Sequence, residues 1–171
     1  MNVHTLVDAF VERVNASPLC FPELVPESEH ITLVGENRKV LVESFEEKLP
    51  RCLPNSFRDL LYRYTFPPFD AAGVSFFAWS DDPEYTQDDL RHALFADEIL
   101  SRVLLANGYV QFGRPDTGDY DAVCFDTNQN VGSNEYSIVR VEHENVLIRE
   151  RIITHQIAPS LYEMMKYVVK K

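Results

Sequence analysis

Long apolar runs are missing from this 171-residue chain, and cysteine and glycine are sparse, at three and six residues. The apolar stretches fall far short of the ~20 residues that a membrane-spanning helix needs, so no bilayer crossing and no membrane partner are expected. The opening segment, residues 1–16, carries Asp8 and Glu12 and has no basic region followed by an apolar block, which argues against a secretory signal. Cys20, Cys52 and Cys124 are odd in number, widely separated and free of any CxxC pair, so reduced thiols in a cytoplasmic protein are expected. No internal repeat or low-complexity tract occurs.

Signatures of reaction chemistry are equally scarce. There is no GxSxG nucleophile elbow. His4, His30, His92 and His155 are scattered, without the HxxxH or HxH spacing that holds zinc. His143-Glu144 is the best acid/base pair on offer. It follows an expected strand, however, where adjacent side chains face opposite sides and do not act on one substrate. The expectation is therefore a protein that is not an enzyme and needs no metal or cofactor.

What the chain does have is acid, unevenly placed. The net charge is −11, from 27 acids and 16 bases. Residues 81–98 hold seven acids (Asp81, Asp82, Glu84, Asp88, Asp89, Asp97, Glu98) against Arg91 alone, and residues 116–126 hold Asp116, Asp119, Asp121 and Asp126 with no base. The rest is almost balanced, with 16 acids and 15 bases. Such a field repels nucleic acid and attracts a basic partner.

Apolar periodicity outlines the elements. Val3, Leu6, Val7, Phe10, Val11 and Val14 recur at helical spacing, predicting an amphipathic helix over residues 3–16. Residues 18–26, with three prolines, read as a connector, and 31–34 as a short strand. Val40, Leu41, Phe45 and Leu49 form a second helical stripe, stopped by Pro50 and Pro54. Asn55 is placed to cap a third helix with Phe57, Leu60, Leu61 and Tyr64 on one face, ended by Pro67-Pro68. Val74 to Trp79 reads as a buried strand, its Phe76-Phe77 and Trp79 belonging to the core. One helix is expected from about residue 87 to Ala106, stopped by Asn107-Gly108. Residues 109–112, 122–125 and 136–141 read as strands of an antiparallel meander, with a fourth near 146–153. Ser160 caps a closing helix with Leu161, Met164, Met165 and Val168 inward. The expected class is α+β: a mainly antiparallel sheet of about four to six strands with helices packed against it, in a single domain over 1–171.

The segment from Val110 to Thr127 is the densest in acids and turn formers. Asp126-x-Asn128-x-Asn130 copies the opening of an EF-hand loop, but Val131 stands where glycine is needed and Ser137 where a bidentate glutamate is needed. A phosphate cradle would require a following helix N-terminus, whereas a strand follows here and the loop is acidic. A structural hairpin is expected, with Gly113 and Gly118 shaping its bend and Asp119 and Asp126 holding its ends.

In order, Leu53-Pro54-Asn55-Ser56-Phe57 with the leucine-rich helix after it, Trp79, Phe112-Gly113…Gly118-Asp119-Tyr120…Phe125-Asp126, Val141-Glu142-His143-Glu144 and Pro159-Ser160-Leu161 resemble the motifs of the SUKH superfamily. That family includes cell-wall-synthesis regulators of the Smi/Knr type and bacterial toxin-immunity proteins. The resemblance covers about residues 38–169 and leaves the N-terminal helix and connector, residues 1–26, outside. The chain departs from it at Thr65-Phe66-Pro67-Pro68, where the family often has glycines. The resemblance implies an α+β fold and binding without catalysis, either as an immunity protein against a basic, nuclease-like toxin or as an intracellular regulatory scaffold. A small hydrolase using His143 is the third reading. Asp81, Asp82, Glu84, Asp88, Asp89, Asp116, Asp119 and Asp121 are expected to form one acidic docking face.

Overall fold

The computed structural model describes residues 1–17, 20, 30–34, 38–96, 99–149 and 151–171. Most of the proline-rich connector lies outside them, as do Asp97 and Glu98.

Two apolar clusters on opposite faces of one sheet organise the chain. Six antiparallel strands lie in sequential order: β3 (Phe69–Ala71), β4 (Val74–Phe76), β5 (Tyr109–Pro115), β6 (Ala122–Gly132), β7 (Glu135–Val141) and β8 (Thr154–Ala158). A separate ribbon pairs β1 (Thr32–Leu33) with β2 (Tyr64–Thr65). Alternation along the strands divides the side chains: Val123 and Phe125 join the larger cluster, Ala122 and Cys124 the smaller one behind it.

The larger cluster is covered by α1 (Val3–Asn15), α2 (Arg38–Glu46), α3 (Asn55–Arg63), α4 (Leu90–Phe95) and α7 (Leu161–Lys170). α1 is as expected: Asn2 accepts from Thr5 N at 2.8 Å, and Phe10 packs in tilted contact with Phe69 and Phe76. The helix outside the family resemblance thus fills the same core as the rest. α7 also begins where expected, with Ser160 Oγ accepting from Glu163 N at 3.1 Å. In α2 the stripe is shifted: Val40 is 73% exposed and Val42 is buried beside Phe45.

The residues after Asp88 form two helices, α4 and α5 (Leu100–Ala106), where one long helix is expected. Leu90 and Leu94 enter the larger cluster, whereas Leu100 and Leu104 enter the smaller one. A single straight helix cannot serve both faces of a sheet. The stop at Asn107-Gly108 holds, with Gly108 at φ +78.

Three further expectations are corrected. Among the described residues of 146–153 there is no strand: α6 (His143–Arg149) comes first, and β8 follows it. Val146 is drawn into the smaller cluster while Leu147 and Ile148 point to solvent, which is how a short apolar run becomes helix. The strand at 74–79 regularly pairs only through Phe76, after which Ala78 and Trp79 make isolated bridges to Asp89 and Phe66. Asn55 is the first residue of α3 rather than its cap, and its side chain donates to Ser133 O at 2.8 Å.

Candidate protein-binding surface

The acidic segment 81–89 is anchored on Trp79, which is fully buried. Its indole N–H donates to Leu61 O at 3.2 Å, and Phe45 meets it edge-on at 5.4 Å. The guanidinium groups of Arg38 and Arg91 stand over the ring at 5.8 and 5.2 Å. Both reach Asp81, at 3.3 and 3.1 Å, and Arg91 also holds Asp89 at 2.8 Å. The hydrogen bond to Asp89 outweighs burial and raises the Arg91 pKa.

Backbone bonds close the segment at its base: Ala78 N donates to Asp88 O at 2.8 Å, and Leu90 N to Ala78 O at 2.9 Å. Inside the loop, Asp82 N donates to Ser80 Oγ, Glu84 N to Asp82 Oδ1 at 2.9 Å, and Pro83–Tyr85 form one 3-10 turn. This is a loop with paired ends and internal bonds, so its backbone is held in place before any partner arrives.

The five acids of this segment are not equivalent. Asp89 is 5% exposed, accepts from Arg91 N as the cap of α4, and offers nothing to a partner. Asp81 is exposed but compensated by two arginines. Asp82, Glu84 and Asp88 are exposed, and among the described residues none of them is ion-paired. Beside them opens a cleft of about 430 Å³ that includes Asp81, Asp82, Thr86 and His92.

The 116–121 loop sits elsewhere. Val74 pairs with Pro115 and Asp116 N donates to Gly73 O, so the loop adjoins the start of β4. The 81–89 segment begins five residues beyond Phe76, at the strand's other end. The Arg114 guanidinium lies between, over Phe77 at 5.5 Å and Tyr120 at 5.9 Å. The two segments thus adjoin opposite ends of the three-residue β4, with the Arg114 guanidinium between them.

Within this loop Gly118 takes φ +83, and Asp116 and Asp119 are exposed. Asp119 accepts from Thr117 Oγ1 at 2.9 Å. Asp121 is occupied: His143 donates to it from its backbone N at 3.0 Å, the ring Nδ1 lies 2.9 Å away, and Arg140 Nε is at 3.3 Å. Burial acts to raise the Asp121 pKa, but the His143 bonds and Arg140 outweigh it and pull the carboxyl below its usual value.

His143 therefore opens α6 instead of following along a strand, and Glu144 beside it is exposed in the first helical turn. Among the described residues the hydrogen bonds of His143 go to Asp121. Asp126 is buried and accepts from the backbone N and side-chain amide of Asn128, both at 3.1 Å. Asn128 and Asn130 lie in β6, and the turn itself is Ser133-Asn134, both with positive φ.

The motif residues Leu53, Phe57 and Trp79 are core, Pro54 precedes α3, and Gly113 lies where β5 runs against β4. Sequence reasoning passed over Glu135. This buried carboxylate accepts from Ser56 N and Ser56 Oγ, and from Tyr162 N at 3.4 Å, thereby capping α3 and α7 from the start of β7. No local signal could mark it, because Ser56 lies 79 residues away.

No family model matches the chain, and comparison with curated proteins finds no match. Among the described residues no helix is long and apolar enough to cross a membrane.

Proposed function

We propose that this chain is a non-catalytic, cytoplasmic protein-binding domain of the SUKH type that neutralises a basic toxin domain, with residues 82–88 as the docking surface. The observation that carries the reading is the set Asp82, Glu84 and Asp88, exposed and, among the described residues, in no ion pair, on a loop tied at both ends. Charges of one sign attract a basic surface and discriminate against acidic ones, acting chiefly on association rate. A toxin that grips phosphates presents such a basic surface.

Pull-down from the native host with the wild-type chain and with the Asp82→Lys, Glu84→Lys, Asp88→Lys triple variant tests the reading. Association with the captured partner should slow at least tenfold at low salt, and the difference should shrink as salt is raised. An unchanged rate and affinity for that partner would remove this surface from the proposal, and capture of nothing by the wild type would remove protein binding itself. Capture of a non-toxic cellular protein through the same acids would move the assignment to the regulatory scaffold.

A further inference from the structure

The last strand of the sheet leaves its outer edge open. β8 pairs with β7 on one side only, and residues 154–157 are exposed. Glu142 N donates to Ile153 O at 3.1 Å, which sets the phase of the ladder. With Arg140 opposite His155, the backbone groups of Ile153 and His155 turn to β7, and those of Thr154 and Gln156 turn outward. The common devices that blunt such an edge are sparse here: residues 154–157 contain no proline, no lysine and no acid, and the register shift in the β7–β8 ladder falls only beyond Gln156.

We propose that this edge is a homodimer interface in which β8 pairs antiparallel with β8 of a second copy, joining the two six-stranded sheets into one. The strand is complementary to itself about a two-fold axis at His155. Thr154 then stands opposite Gln156 of the second copy, and Gln156 opposite its Thr154, so the outward N–H and C=O groups of each strand are satisfied by the other. Strand alternation puts Ile153 on the face of His155. Ile157, 40% exposed, lines a cleft of about 290 Å³ with Met164 and Tyr167 of α7, on that same face. The register shift bends the strand beyond Gln156, so the regular pairing about the axis is Thr154 to Gln156, with Ile153 and Ile157 flanking it on one face. The two His155 rings meet at the axis, each already held by its own Glu142 at 2.7 Å.

Charge permits a second copy at this edge where it opposes one at the acidic segments. The chain as a whole is −11, so most approaches of two copies are repulsive, but residues 142–158 carry three acids and two arginines and are nearly neutral. Added salt should therefore strengthen the association, the opposite of its effect on the acidic docking surface.

Sedimentation equilibrium of the full chain over a concentration series tests the proposal, with Gln156→Pro and His155→Lys beside the wild type. Proline at 156 removes an outward N–H that β7 does not use, and lysine at 155 places like charges face to face across the axis. The wild type is expected to dimerise reversibly, and each variant to weaken the dimer at least tenfold with its circular dichroism and Tm retained. If Gln156→Pro fails to fold, His155→Lys carries the test. A wild type that stays monomeric at every concentration overturns the proposal, and so does a dimer that the folded variants leave unchanged. A monomer that instead takes up a foreign strand also counts against it.

Discussion

The carboxylate of Glu135 accepts two hydrogen bonds from Ser56, one from the backbone N–H and one from Oγ, each at 2.8 Å. Through them the first residue of β7 caps α3, and its further bond from Tyr162 N reaches the start of α7. One side chain thus satisfies donors at two helix N-termini and holds them to the sheet.

Glu135→Ala should lower stability by about 2–4 kcal/mol, because buried donors lose their acceptor. Glu135→Gln, which keeps an oxygen for Ser56 N, should cost less. Burial raises the Glu135 pKa above its usual 4.5, outweighing the bonds from Ser56 and Tyr162. The folded chain then holds a proton that the unfolded chain has released, so this group's contribution to stability falls as pH rises from 4.5 to the folded value. Denaturant titrations across that range should show Glu135→Gln gaining on the wild type as pH rises. A constant gap would separate Glu135 from this linkage.

Asp121 carries the opposite sign. Its folded pKa lies below 3.8, so the stability it contributes is present above 3.8 and is lost as pH falls through the folded value. Asp121→Asn should cost about 1 kcal/mol at neutral pH by loosening the start of α6, and the two proteins should converge in strong acid. Equal stability at neutral pH would show that the His143 and Arg140 contacts contribute nothing net.

Two glycines of the β5–β6 hairpin should differ under the same substitution. A Cβ on Gly113 would stand 2.4 Å from the Ser75 carbonyl oxygen and 3.0 Å from Val74 Cγ1, so β4 must move. A Cβ on Gly118 meets nothing within 4 Å, but that residue sits at φ +83. Gly118→Ala should cost about 1–2 kcal/mol through backbone strain alone. Gly113→Ala should cost about 3 kcal/mol, with the loss of strand pairing seen as faster amide exchange at β4. The reverse order would mean that β4 yields easily at this point.

The three thiols should separate by accessibility. Cys124 is fully buried in the smaller cluster, and burial pushes its pKa well above the usual thiol value, whereas Cys52 is exposed and Cys20 half-buried. In native conditions a thiol reagent should modify Cys52 first, leaving Cys124 untouched until the chain unfolds. Early modification of Cys124, mapped by mass spectrometry, would show that the face beneath α5 and α6 opens readily.

Several elements were legible because their signals are local. The stripe of α1, the Ser160 cap and the antiparallel order of β5, β6 and β7 depend on residues a few positions apart. β8 and the break between α4 and α5 were not, because they depend on which face of the sheet each apolar residue reaches. The proposed docking surface was half legible: its acids stand out by composition, but their exposure does not.

By itself the sequence determined the α+β class, the closing helix and the concentration of acid in two segments. Tertiary structure alone decided that Asp89 and Asp121 are spent on holding helices while Asp82, Glu84 and Asp88 face solvent. It also decided that the two acidic segments lie at opposite ends of β4. The physical reason is range. Helical stripes and caps act over three or four residues, whereas Asp81 meets Arg38 across 43 residues, Asp121 meets His143 across 22, and Glu135 meets Ser56 across 79. Only folding brings those charges and donors together, and only then does a carboxylate become either a fastening or a free surface.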